Sequence, residues 1–99
     1  MAIRIRKGSG NVFKDVGFPT PEATHLQIRA DLMVQIERIL KAEGLTQVKA
    51  AKLLGVSQPR ISDLVRGRLE LFSIDALVEM LGRLGITVTL RTKRSHRVA

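Results

Sequence analysis

The chain has 99 residues, the length of one domain with one modest core, and its 44% hydrophobic content argues against a globally disordered chain. It has no cysteine, which excludes disulfides, thiol chemistry and cysteine-ligated zinc, and no apolar run approaches the ~18 residues of a membrane span. The net charge is +8, which suits a polyanionic partner.

The opening MAIRIRKGSGN is basic but lacks an apolar stretch long enough for a secretory signal, so a reducing cytoplasm is the expected home. Ile3 and Ile5 alternate with Arg4 and Arg6, which predicts a short strand or extended arm broken at Gly8-Ser9-Gly10. Val12, Phe13, Val16 and Phe18 then offer an apolar cluster expected to anchor on a helical body. Residues 1–19 are read as an N-terminal arm.

Thr20-Pro21 starts a helix, with Thr as N-cap, Pro at the first helical position and Glu22 favoured by the helix dipole. The pattern predicts a helix to about Glu43, with Leu26, Ala30, Met33, Ile36 and Leu40 on one face and Gly44 as its stop.

Residues 46–68, TQVKAAKLLGVSQPRISDLVRGR, read as two short helices joined by a tight turn. Thr46 caps the first and Ser57 the second, with Leu45 over Ala50 and Val56 over Ile61 as hydrophobic staples. Ala51 is small where the second helix crosses, and Gly55 takes the bend, where a residue without Cβ reaches positive φ cheaply. Val56, Ile61 and Leu64, backed by Ala50 and Leu54, form an apolar wedge. Pro59 falls in the first turn of the second helix, where its missing N–H costs no intrahelical bond. Ser57, Gln58, Pro59, Arg60, Ser62, Asp63 and Arg66 remain outward, mostly short or polar groups suited to base edges and phosphates. This is the pattern of a DNA-binding helix-turn-helix.

Beyond Gly67, Ser73 caps a helix to about Leu84 with Ile74, Leu77, Val78, Leu81 and Leu84 on one face. Gly85 stops it, and Ile86, Val88 and Leu90 then alternate with Thr87, Thr89 and Arg91 as in a strand. An isolated strand needs a partner. Pairing with the Ile3–Arg6 segment would be intramolecular, whereas pairing with a symmetry mate or another protein would make an interface, and the intermolecular role is preferred. Residues 20–90 form the domain and 91–99 a basic tail.

Charge is unevenly spread. Residues 1–19 carry +3, 20–44 carry −1, 45–72 carry +3, 73–90 carry −1 and the tail from Arg91 carries +4. Positive charge gathers at the two-helix motif and at both ends, which suits nucleic acid, although basic ends equally suit a solvated surface.

The segment TQ followed by KAAKLLGVSQPRISDLVRG resembles the Cro/lambda-repressor-like (XRE) class of bacterial and phage regulators. The lead-in Gly10-Asn11-Val12-Phe13-Lys14-Asp15-Val16-Gly17-Phe18-Pro19 is similar to the start of HigA-like antitoxins of that class. The resemblance implies a mainly α fold, a lambda-repressor-like helix-turn-helix bundle with short terminal strands. It also implies a homodimer on double-stranded DNA that represses its own operon. The antitoxin subgroup adds a RelE/HigB-like ribonuclease toxin as partner. The alternative is a stand-alone repressor without a toxin.

By position in that family's motif, Gln58, Pro59, Ser62 and Asp63 face base edges, and Arg60 reaches a guanine or a phosphate. Many relatives carry a polar residue where Pro59 stands, which leaves fewer direct base contacts here. Asp63 either accepts from a cytosine amino group or restrains Arg60 or Arg66 in an ion pair. Gln47, Ser57, Arg66 and Arg68 would fix register on the phosphates.

An enzyme is disfavoured. His25 and His96 lack a spaced ligand or acid for a metal site or triad, and Gly8, Gly10 and Gly17 make no phosphate-binding fingerprint, so no cofactor or metal is expected. With no tyrosine or tryptophan, RNA stacking would fall to three phenylalanines that are expected to be buried.

Overall fold

The computed structural model describes residues 20–94 in full and residues 2–5 as backbone. The expected apolar anchor at Val12–Phe18, the lead-in at 10–19 and the end of the basic tail lie outside the described residues. In chain order the described elements are β1 (Ala2–Ile5), α1 (Pro21–Ala42), α2 (Gln47–Leu54), α3 (Gln58–Val65), a 3-10 turn (Leu69–Leu71), α4 (Ile74–Arg83) and β2 (Thr87–Leu90).

Each α-helix begins where a hydroxyl residue predicts it. Thr20 Oγ1 accepts from the Ala23 amide at 3.1 Å, Thr46 Oγ1 from Lys49 at 3.2 Å, Ser57 Oγ from Arg60 at 3.3 Å and Ser73 Oγ from Ala76 at 3.1 Å. Each cap satisfies one amide that the helix itself leaves without a carbonyl. At the far ends, Gly44 and Gly55 hold φ +63° and +70°, and Gly67 at φ +73° turns the chain out of α3.

The core lies between α1, the α2–α3 pair and α4. Leu32 and Ile36 of α1, Ile61 and Leu64 of α3, and Leu77 and Leu81 of α4 are almost wholly buried. Phe72, which links the 3-10 turn to α4, fills the space between them at 1% exposure. α1 packs chiefly on α4, α2 on α3, and α4 also supports β2. Neither charged nor polar side chains are buried among the described residues. The interior of the bundle is thus packed by apolar side chains.

The apolar faces differ from expectation in two places. In α1, Leu32 is fully buried alongside Ile36, while Leu26 and Ala30 are only half-buried. In α4, Val78 is 38% exposed and Met80 is buried, so the inward stripe is Leu77, Met80, Leu81 and the half-buried Leu84. That set follows the i, i+3, i+4, i+7 spacing of a single helix face, and Val78 sits one position off it.

The C-terminal strand finds its partner within the chain, which corrects the preference for an intermolecular one. β1 and β2 pair in parallel, with Ala2 opposite Thr87, Ile3 opposite Val88, Arg4 opposite Thr89 and Ile5 opposite Leu90. Parallel neighbours need a long crossover, and here the whole helical body supplies it. The fold is otherwise the expected one, a mainly helical helix-turn-helix bundle with short terminal strands.

Candidate nucleic-acid interface

α2 and α3 form the helix-turn-helix, and the turn between them depends on three residues. Gly55 ends α2 in the left-handed region, its amide bonding back to Lys52. The Val56 amide returns to Ala51 at 3.0 Å, and Ser57 opens α3. Ala51 is buried beneath the crossing, where a larger side chain would push the helices apart. Ala50, Leu54, Ile61 and Leu64 form the buried wedge, and Val56 covers its edge, half-buried.

This packing decides which side of α3 faces outward. Gln58 and Pro59, in its first turn, and Arg66, at its C-cap, are exposed, and Ser62 and Asp63 are half-buried between them. Ser57 and Gln47, at the starts of α3 and α2, are exposed as well. Helix geometry aligns 58, 59, 62, 63 and 66 along one stripe, opposite Ile61 and Leu64. Lys49 and Lys52 are exposed on α2 and raise the positive charge of the motif.

Asp63, Arg68 and Arg60, all expected to meet DNA, have protein partners. Asp63 Oδ1 lies 3.7 Å from Arg68 Nε, and the Arg68 amide donates to the Asp63 carbonyl at 3.1 Å. The pairing partner is thus Arg68 rather than Arg60 or Arg66. At 51% exposure the Arg68 side chain remains open to solvent, so this pair orients it more than it stabilises the fold.

Arg60 is turned toward the body. Its Nη1 donates to the Leu71 carbonyl, and its Cζ lies 4.0 Å from the centroid of the Phe72 ring. Sequence spacing gives no hint of this, because the acceptor is a backbone carbonyl eleven residues away. Arg29 of α1, never singled out by pattern, makes a parallel contact: its Nη1 donates to the Leu69 carbonyl at 3.1 Å. The guanidinium of Arg83, from the end of α4, lies against Gly55 in the turn.

With this geometry in hand, comparison with known proteins is decisive. A sequence family described as a helix-turn-helix domain matches residues 12–93. A solved structure assigned as an XRE family transcriptional regulator superposes with a TM-score of 0.70 at 32% sequence identity, covering 80% of this chain and 91% of that one. The chain belongs to the XRE helix-turn-helix family. Among curated proteins no relative matches it. As a member of that family it is a DNA-binding transcriptional regulator.

Among the described residues no cluster of three histidine, aspartate or glutamate residues could hold a metal ion. No helix among them is long and apolar enough to cross a membrane.

Proposed function

We propose that this XRE regulator is a sequence-specific repressor that binds its operator as a homodimer and controls its own operon. The observation that carries this reading is the outward stripe of α3: Gln58, Pro59, Ser62 and Asp63 along one line, flanked by exposed Arg66 and Arg68. The stripe enters the major groove with its N-terminal residues toward the bases. Gln58 bonds an adenine bidentately, Pro59 packs on a thymine methyl, and Ser62 and Asp63 meet the neighbouring pair. Gln47, Ser57, Arg66 and Arg68 hold the phosphates, the first two aided by the positive ends of α2 and α3.

A single recognition helix reads few base pairs, and two-fold pairing doubles the site. The lead-in at residues 10–19, with its resemblance to HigA-like proteins, supports a further role as an antitoxin for a ribonuclease toxin.

Fluorescence anisotropy on the upstream DNA and on a scrambled duplex, across a salt series, tests the repressor reading. A preference of about 10³ or more for the upstream sequence is expected. Equal, steeply salt-dependent binding to both duplexes would refute it. Co-expression with the neighbouring open reading frame tests the antitoxin reading: a stable complex is expected, and a solitary homodimer would leave a plain repressor.

A further inference from the structure

We propose that Arg60 is a positioning residue: with Arg29 it clamps the Leu69–Leu71 turn and so sets the pitch of α3, instead of contacting DNA. The inference rests on the DNA-reading role given to α3 above.

The clamp has two jaws. Arg29 reaches from α1 to the Leu69 carbonyl, and Arg60 reaches from α3 to the Leu71 carbonyl. The short turn thereby bridges the helix that scaffolds the bundle and the helix that enters the groove. The Leu69 carbonyl, which also accepts the Phe72 amide at 3.2 Å, takes Arg29 as a second donor, and the Leu71 carbonyl, at the end of the turn, takes Arg60. Phe72, at 1% exposure, gives the Arg60 guanidinium a flat face fixed in the core. A planar cation stacked on an aromatic ring while donating to a carbonyl has few remaining orientations.

Position in the helix argues the same way. Arg60 lies in the first turn of α3, where the helix dipole disfavours a positive charge. Holding that charge away from the turn, against a carbonyl and a ring, offsets the conflict. On the other side of the connection Asp63 and Arg68 tie α3 to the residue just before the turn. α3 is therefore tied to the connection at two positions, Arg60 and Asp63.

The test combines amide exchange on the free protein with DNA binding by Arg60→Ala, Arg60→Lys and Phe72→Leu. In Arg60→Ala, amides of Ile61–Leu64 and of Leu69–Phe72 should exchange about tenfold faster while those at the centre of α1 stay unchanged. Unaltered protection in α3 would overturn the clamp, whatever DNA does.

On upstream DNA, the fully folded Arg60→Ala protein should bind about tenfold more weakly with its salt slope unchanged, since no phosphate contact is lost. Phe72→Leu should give a similar loss, and combining the two should add little further. Arg60→Lys keeps the charge but not the planar fork, and should resemble Arg60→Ala. A salt slope reduced by about 0.9, with Arg60→Lys binding like the wild type, would make Arg60 a phosphate contact and overturn the proposal. Relaxed discrimination at one base pair alone would make it a base reader and overturn it equally. If wild-type protein shows no preference for its upstream DNA, the reading of α3 fails, and amide exchange still decides the clamp.

Discussion

The guanidinium of Arg83 covers the space that a side chain at Gly55 would need. A β-carbon on Gly55 would lie 3.0 Å from both Cζ and Nη1 of Arg83, at a backbone φ of +70°. Two costs therefore oppose any other residue in the turn, and they differ in kind. The arginine is a flexible side-chain end on an exposed residue and can swing away, whereas the left-handed backbone cannot be relieved without reshaping the turn. Gly55→Ala should destabilise the protein by about 1–2 kcal/mol. In an Arg83→Ala background the same change should cost nearly as much. Urea unfolding of the four proteins checks this, and a cost that vanishes with Arg83 would show that the clash dominates.

Ser57 joins stability to reading, because its hydroxyl oxygen accepts the Arg60 amide at the start of α3. Removing it leaves an amide of the recognition helix without its cap. Ser57→Ala should cost about 1 kcal/mol in chemical unfolding. Ser57→Gly should cost less, since Gly also tolerates the N-cap conformation. Equal losses for the two would mean that Ser57 stabilises through something other than the cap.

Local physics explains why some of this was legible in the residues. A cap needs a hydroxyl and an amide three positions on, so Thr20, Thr46, Ser57 and Ser73 announce helix starts without reference to the rest of the chain. The Gly55 bend and the small Ala51 beneath it are likewise local, and with them came the helix-turn-helix and its outward stripe. The Arg29–Leu69 contact spans forty residues, and the Arg60–Leu71 contact ends on a carbonyl, which has no sequence signature. The strand at Thr87–Leu90 was visible from alternation, but its partner is set by where the helical body carries the two chain segments.

The inward face of α4 shows how fine that limit is. Val78 and Leu81 are both apolar and lie three residues apart, yet Val78 is 38% exposed and Leu81 is wholly buried. Leu81→Ala should cost about 2–5 kcal/mol through lost burial and the cavity left behind. Val78→Ala should change stability by less than about 0.5 kcal/mol. Thermal or denaturant unfolding distinguishes them, and comparable losses would place Val78 in the core after all.

Gln58 and Arg66 stand at opposite ends of the exposed stripe of α3, and their contributions to binding should separate cleanly. Gln58 is uncharged and sits in the first turn, so under the proposed reading its contribution to affinity would come from hydrogen bonds to one base. Gln58→Ala should cost about 1–3 kcal/mol on operator DNA and little on a scrambled duplex. Arg66 carries a full charge at the C-cap with no ion-pair partner among the described residues, which suits a phosphate. Arg66→Ala should weaken both duplexes alike and lower the salt slope by about 0.9. Anisotropy titrations of both variants on both duplexes, from low to moderate salt, carry the comparison. Losses that follow the same pattern in the two variants would mean that the stripe senses charge and shape alone, and that no side chain on it reads sequence.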